Sequence, residues 1–213
     1  MPNAAHLHEP YDTPEQQREA ATLGMWVFLG TEIMLFGAMI MGFCAYRISY
    51  AQAFTEASHH TDLLLGTANT AVLLTSSLTM ALAVRSAQLG SRKWLTGLLF
   101  GTMGLGIVFL VLKIAEWIEH YQHHLLPGAG FVFPGPHSAT AELFFYFYFL
   151  LTGIHALHLT IGCGVMAVLA ILAWRGKFTP AYTNPVEIGG LYWHLVDIVW
   201  IFLYPLLYLA GHH

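Results

Sequence analysis

The sequence predicts an all-α integral membrane bundle with five transmembrane helices. Of its 213 residues, 56% are hydrophobic and only 9% are charged, whereas soluble domains carry roughly 25% charged residues. Crossing about 30 Å of hydrocarbon takes roughly 20 mostly apolar residues. Five stretches reach that length, at approximately residues 21–46, 63–89, 94–118, 141–174 and 188–209.

The rest of the chain leaves little room for a second folded unit. Residues 1–20 form a polar N-terminal segment, and residues 21–213 form the predicted membrane domain. The segment lacks the basic-then-apolar pattern of a signal peptide, so we expect the spans themselves to direct insertion. Thr13, followed by Pro14 and Gln16, predicts a helix start. We expect a short amphipathic surface helix there, ahead of the first span.

Charge and cysteine content argue against two classes of function. The formal net charge is −4 and the basic residues are scattered, so no dense positive surface faces a nucleic-acid backbone. Cys44 and Cys163 both lie in apolar runs, which is typical of small buried hydrophobic residues. They form neither a CxxC metal pair nor a disulfide framework. We therefore expect no nucleic-acid partner.

The basic residues also predict the orientation, because Lys and Arg are retained on the cytoplasmic side of short loops. A cytoplasmic N-terminus is opposed only by Arg47. It places six basic residues on the cytoplasmic side, namely Arg18, Arg85, Arg92, Lys93, Arg175 and Lys177. The connection at about residues 120–140, rich in His, Gly and Pro, then lies outside together with the C-terminus.

Small residues in the third span predict close helix contacts, since glycine lets backbones approach in lipid. The residues concerned are Gly97, Gly101, Gly104 and Gly106. Glycine is also common in membrane helices for no such reason, so we expect only some of these positions to lie at contacts.

Ionisable side chains inside the spans are the candidate functional residues, because a charge in hydrocarbon costs about 2.5–3.5 kcal/mol on insertion scales. Glu32 lies about half-way along the first span, in GTEIMLFG. Three interpretations of Glu32 stay open: a proton-linked group, a polar contact that organises the bundle, or a neutral carboxyl hydrogen-bonded to a neighbouring helix. Lys113 and Glu116 lie three positions apart, a spacing that favours an ion pair on one helix face.

Two more pairs have the same spacing of three. His155 and His158 lie in the fourth span, and His194 and Asp197 lie in the fifth. Their two faces could meet and either hydrogen-bond across the bundle or bind a metal or a haem. We favour a polar network that includes Asn69 of the second span, and no metal, because so few ligands lie at one depth.

A histidine string, H-x-x-H-H, is formed by His120, His123 and His124 at the outer end of the third span. Similar strings help to hold a di-iron centre in membrane desaturases and hydroxylases, which gives a membrane di-metal oxygenase as an alternative. Those enzymes gather several strings on the cytoplasmic side, whereas a single string faces outward here. We therefore expect His120 and Glu119 to be solvated at the outer interface.

Four stretches resemble a known family, subunit III of haem-copper cytochrome c oxidase. LYWHLVDIVWIFLYPLLYL at residues 191–209 is similar to the final helix of that family, with a Trp-His pair followed by Val-Asp and Val-Trp. LLTGIHALHLTIG (150–162), NTAVLLTSSLTMALA (69–83) and GMWVFLGTEIMLFG (24–37) resemble three earlier helices. Five spans are the form of many bacterial members, whereas the mitochondrial form has two additional leading helices.

The resemblance implies a subunit with no catalytic centre, haem or copper of its own. The haem and copper would lie in partner chains, the catalytic subunit I and subunit II. The subunit would bind phospholipid, support proton uptake and stabilise the catalytic subunit in the bacterial inner membrane. The electron donor stays open, since quinol oxidases and nitric oxide reductases carry related subunits.

The resemblance also implies roles for individual residues. Glu32 would be the intramembrane glutamate that the family presents near bound lipid, and Glu116 would match a glutamate at the end of its helix. Lipid-linked, proton-linked or packing positions would further include His155, His158, Trp193, His194 and Asp197. From the residues themselves, we expect Asn69, Lys113 and Glu116 to belong to the polar network.

Overall fold

The computed structural model describes residues 11–128, 130–134 and 137–209. In this part of the chain the α-helices are α1 (Pro14–Ser49), α2 (Ala51–Ser58), α3 (Leu63–Gln88), α4 (Arg92–Gln122), α5 (Ser138–Trp174) and α6 (Asn184–Tyr204). A π-helical segment, Pro205–Leu209, continues α6. Five of the helices are long and apolar enough to cross a membrane, which confirms the predicted fold class. The short α2 was not predicted.

Helix α1 begins where the sequence predicts a helix start. The Thr13 side chain accepts a hydrogen bond from the Gln16 amide at 3.1 Å, and the Gln16 side chain accepts one from the Asp12 amide at 2.9 Å. This reciprocal cap satisfies amides that have no partner within the helix. The separate surface helix expected here is wrong, because α1 runs unbroken from Pro14 to Ser49.

Helices α3 to α6 form the core of the bundle, and α1 lies at its edge against α2, α5 and α6. Helices α3 and α6 are joined by ring-to-hydroxyl hydrogen bonds of 2.7–3.1 Å: Trp193 to Ser76, His194 to Ser77, Trp200 to Thr70, and Tyr204 to Thr67. These bonds satisfy polar atoms that lipid cannot, and they fix the register of the two helices.

The glycines of α4 divide into one packed position and an open face. A Cβ at Gly106 would lie 2.7 Å from Trp193 and 2.9 Å from the Cys163 sulfur. At Gly97, Gly101 and Gly104 a Cβ would meet nothing within 4 Å. A close contact within the described chain is therefore present at Gly106 and absent at the other three, in line with the expectation that only some of these glycines lie at contacts.

The two ends of the bundle differ in charge. What we term the basic end holds the start of α1 and the α3–α4 and α5–α6 turns, while the loop end holds α2 and the α4–α5 connection. At the basic end Glu187 ties three helices together. Its carboxylate lies 3.7 Å from Arg18 of α1 and accepts hydrogen bonds from Gln88 of α3 at 3.3 Å and Thr183 at 2.9 Å.

Candidate functional site

A closed polar cluster lies inside the bundle, formed by Lys113 and Glu116 of α4, Tyr148 of α5 and Tyr208 of the π-helical segment. The side chains of Lys113 and Glu116 are 1% and 0% exposed, and Lys113 Nζ lies 3.0 Å from Glu116 Oε2. The ion pair expected from their spacing is therefore present. The three helical elements meet at this pair.

Both phenols complete the cluster. Tyr148 and Tyr208 each donate a hydrogen bond of 2.6 Å to the other carboxylate oxygen of Glu116. Lys113 Nζ donates to the Tyr148 hydroxyl at 3.0 Å and also to the Tyr208 hydroxyl. The ammonium further lies 5.2 Å from the ring centre of Trp200, within cation–π range. All of the charged atoms have partners, so the geometry is that of a structural clamp.

The π-helical segment and Gly66 together bring Tyr208 into the cluster. Pro205 opens the segment and has no amide hydrogen to continue the regular helical ladder. A Cβ at Gly66 of α3 would lie 2.8 Å from the Tyr208 ring. The absence of a side chain at Gly66 therefore makes room for Tyr208 beside α3.

A second acid–base contact joins α1 to α5. His158 Nε2 lies 3.0 Å from Glu32 Oε2, and the two side chains are 14% and 13% exposed. The contact has ion-pair distance without being an aligned hydrogen bond. The ring edge of His158 also packs against Phe36 of α1, with centroids 5.4 Å apart. In contrast to the closed cluster, this pair lies at the edge of the bundle.

The hydrogen bonding of His158 determines what it presents to Glu32. Its Nδ1 lies 2.8 Å from the Ile154 carbonyl, which can only accept, so Nδ1 carries the hydrogen. In a neutral ring the Nε2 lone pair then points at Glu32, and a lone pair of an ionised Glu32 carboxylate points at Nε2, so the two repel each other. A proton on one of the two groups removes this repulsion, so the contact is suited to hold one exchangeable proton.

The other predicted network residues do not meet in one network. His155 packs between Phe109 and Trp200, with ring centroids 5.6 and 5.1 Å away. His194 instead contacts Ser77 at 2.9 Å, and its Nδ1 is 3.9 Å from Asp197. Both nitrogens of His155, the amide of Asn69 and the carboxylate of Asp197 have no hydrogen-bond partner among the described residues. Their lining of a shared site stays a prediction.

His120 departs from the expectation of a solvated side chain. It is only 3% exposed, its Nδ1 donates to the Glu116 carbonyl at 2.7 Å, and its ring stacks on Tyr148 with centroids 5.2 Å apart. Two further aromatic rings of α5 pack against it, Phe145 and Phe149, with centroids 5.9 and 6.2 Å away. Glu119 is exposed, as expected.

Sequence reasoning missed the two phenols of the cluster. Tyr148 and Tyr208 lie 35 and 95 positions from Lys113, and helical spacing relates only neighbours three or four positions apart. Hydroxyl-bearing rings inside apolar spans are the one available signal. Within the described ranges, no three His, Cys, Asp or Glu side chains are grouped to hold a metal ion.

Comparison with known proteins identifies the family of such a bundle. The family model described as cytochrome c oxidase subunit III matches residues 12–212. A quinol oxidase subunit 3 from Bacillus spizizenii is 32% identical over 215 residues, covering 99% of this chain and 98% of the relative. A cytochrome c oxidase subunit 3 from Alkalihalophilus pseudofirmus is 32% identical over 89% of this chain and 86% of its own length. A cytochrome bo(3) ubiquinol oxidase subunit 3 from Pseudomonas aeruginosa is 28% identical over 99% and 95%, respectively.

Proposed function

From the premise that the chain belongs to the cytochrome c oxidase subunit III family, we propose how this membrane protein works in its complex. The chain is an accessory third subunit of a terminal oxidase and associates with other oxidase subunits. In our proposal it packs against subunit I, with subunit II as a further neighbour. Haem and copper belong to those partner chains. The match over residues 12–212 is the observation that carries this proposal.

Purification of the intact complex from native membranes tests the assignment. We expect the chain to co-purify with a haem- and copper-containing partner, whose optical spectrum shows the haem. The metal and haem content of that partner distinguishes oxygen reduction from nitric oxide reduction. Recovery of the chain alone, with stoichiometric iron, would contradict the accessory role and support a di-metal oxygenase.

The electron donor has two candidates. Cytochrome c is favoured by the family description and by relatives such as the Alkalihalophilus subunit. Quinol is favoured by the Bacillus quinol oxidase subunit, which matches 99% of this chain and 98% of its own length. Turnover of the purified complex with reduced cytochrome c and, separately, with a quinol decides between them.

We further propose a bacterial inner-membrane location with the basic end in the cytoplasm, following the positive-inside rule. The basic residues at the start of α1 and in the α3–α4 and α5–α6 turns support this orientation. A cysteine introduced in place of exposed Gln122, at the loop end, should react with a membrane-impermeant thiol reagent added to the outside of cells. Protection until the cells are lysed would reverse the orientation.

The Glu32–His158 pair is our candidate for the lipid- and proton-linked role. In this proposal the pair holds one exchangeable proton within the membrane. Its acid belongs to α1, whose exposed face is rich in large apolar side chains such as Ile33 and Met34. A polar group at such an edge offers a contact for phospholipid. The contact at 3.0 Å carries this proposal.

Replacing Glu32 with alanine tests the role. We expect the complex to assemble, because the closed cluster is untouched, but to retain less phospholipid by mass spectrometry or to lose proton uptake and activity sooner during turnover. Glu56→Ala, at an exposed site on α2, is the matched control. Loss of the whole complex in Glu32→Ala alone would indicate a structural role instead.

A further inference from the structure

A small polar pocket of about 40 Å³ lies at the loop end, apart from the Glu32–His158 pair. The ends of α2 and α4 and the start of α3 surround it. Its lining residues are His60, Asp62, Glu119, His120, His123 and Leu125. Neither the closed cluster nor the proposed function uses this pocket.

Two of its imidazoles are fixed as hydrogen-bond acceptors. His60 Nδ1 lies 3.2 Å from the Glu56 carbonyl, and His120 Nδ1 lies 2.7 Å from the Glu116 carbonyl. A carbonyl only accepts, so in each neutral ring the hydrogen is on Nδ1 and the lone pair is on Nε2. His120 is 3% exposed, and its Nε2 has no hydrogen-bond partner within the described part of the chain. Leaving such a buried acceptor without a hydrogen bond costs about 1–3 kcal/mol of stability.

The carboxylates add negative charge around these acceptors. Asp62 caps α3 through one oxygen, which accepts from the amides of Leu64 at 2.8 Å and Leu65 at 3.1 Å. Asp62 and Glu119 are both exposed, so the second Asp62 oxygen and the Glu119 carboxylate can accept hydrogen bonds from a partner. Among the described residues, no Lys or Arg lines the pocket. The lining therefore favours the binding of a positively charged hydrogen-bond donor.

The geometry favours an ammonium group over a metal ion. A zinc ion takes nitrogen and oxygen ligands at about 2.0–2.2 Å, and the described side chains present no such group of three. An ammonium is a compact charge with three donors that rotate freely, so it tolerates looser spacing. A pocket of about 40 Å³ exceeds the roughly 10–15 Å³ that one water needs, but it is small for a planar guanidinium.

We propose that this pocket receives the ammonium of a lysine from a neighbouring subunit of the oxidase complex. The lysine donates to His120 Nε2 and lies between the Asp62 and Glu119 carboxylates. The inference rests on the place of the chain in that complex. It adds a specific contact at the loop end, with a defined chemistry for the partner residue.

Zero-length coupling in the intact purified complex tests the contact. A water-soluble carbodiimide activates a carboxylate, and attack by a lysine amine forms an amide as the reagent leaves as its urea. We expect mass spectrometry to find Glu119 or Asp62 joined to a lysine of another subunit. Glu119→Gln together with Asp62→Asn should abolish the link, because Asn retains the oxygen that caps α3. Glu56→Gln, on neighbouring α2, should leave it unchanged.

Two outcomes would overturn the proposal while leaving the subunit assignment intact. The chain co-purifies with the complex but neither carboxylate couples to another subunit, or the complex retains Zn²⁺ that the Glu119→Gln and Asp62→Asn changes release. A chain that does not co-purify at all would instead remove the proposed function and this contact together.

Discussion

Lys113–Glu116 and Glu32–His158 each hold an acid and a base 3.0 Å apart inside the membrane-spanning helices, yet their surroundings differ. The first pair is almost fully buried, and two phenols satisfy the second carboxylate oxygen. The second pair is 13–14% exposed, and Glu32 Oε2 accepts no hydrogen bond from the described residues. The comparison teaches that the number of hydrogen-bond partners, rather than the charges themselves, separates a structural clamp from a pair that is only partly satisfied.

Breaking the closed cluster should give the largest effect. Glu116→Ala leaves the Lys113 ammonium and two phenols buried without their acceptor, and loss of one partner of a buried ion pair costs about 3–5 kcal/mol. Unfolding of the full chain in detergent measures this loss. Glu119→Ala, at an exposed site on the same helix, should change little.

A double variant sharpens the same point. Lys113→Met with Glu116→Met removes both charges, and apolar replacement of a whole buried pair is often close to neutral. We expect it to regain most of the stability that Glu116→Ala loses. If the double variant is less stable than Glu116→Ala, the ion pair itself stabilises the chain, and removing an unpaired charge is not enough to restore stability.

Packing of α4 should give the next largest effect. Gly106→Ala places a methyl 2.7 Å from Trp193, and overpacking of this kind costs about 1–3 kcal/mol. Gly101→Ala meets nothing within 4 Å in this chain, so the isolated chain should tolerate it. Equal thermal stability of the two variants would mean that α4 and α6 can shift apart at Gly106 with little loss of stability.

The tether of α1 at the basic end should matter less. Glu187→Ala removes the contacts to Arg18, Gln88 and Thr183, but Arg18 is 67% exposed and exposed ion pairs contribute at most about 1 kcal/mol. We expect proteolysis near the start of α1 to speed up with little change in overall stability. Glu15→Ala, in the first turn of α1, is the control, and equal proteolysis of both variants would argue against a tether.

The smallest change in stability should follow Glu32→Gln. The amide can donate to the His158 lone pair at the same place, so the contact persists while the ionisable carboxyl is removed. We expect an unfolding midpoint close to that of the unmodified chain. A loss as large as that of Glu116→Ala would remove the distinction between the two pairs.

The sequence was sufficient for the spans because their length and apolar character are local properties. It also placed Lys113 and Glu116 together, since three positions along a helix share a face. It could not bring Tyr148 and Tyr208 to them, because those contacts depend on how α5 and the end of α6 pack. Nor could it predict that His120 is buried, because aromatic side chains of α5 cover it. His155 and His158 show the same limit of sequence reasoning. Although they lie three positions apart on α5, one ring contacts Trp200 and the other contacts Glu32.

The position of Tyr208 near the end of the described chain has a consequence for biosynthesis. Lys113 is made 95 positions before it, and at about 5–20 residues per second that separation lasts roughly 5–19 s. Early in this interval α4 enters the bilayer before the helix of either phenol is complete, when an isolated charge would cost about 2.5–3.5 kcal/mol. Glu116, on the adjacent turn, is synthesised almost simultaneously with Lys113, so the nascent helix carries its own counter-ion until the last helix arrives.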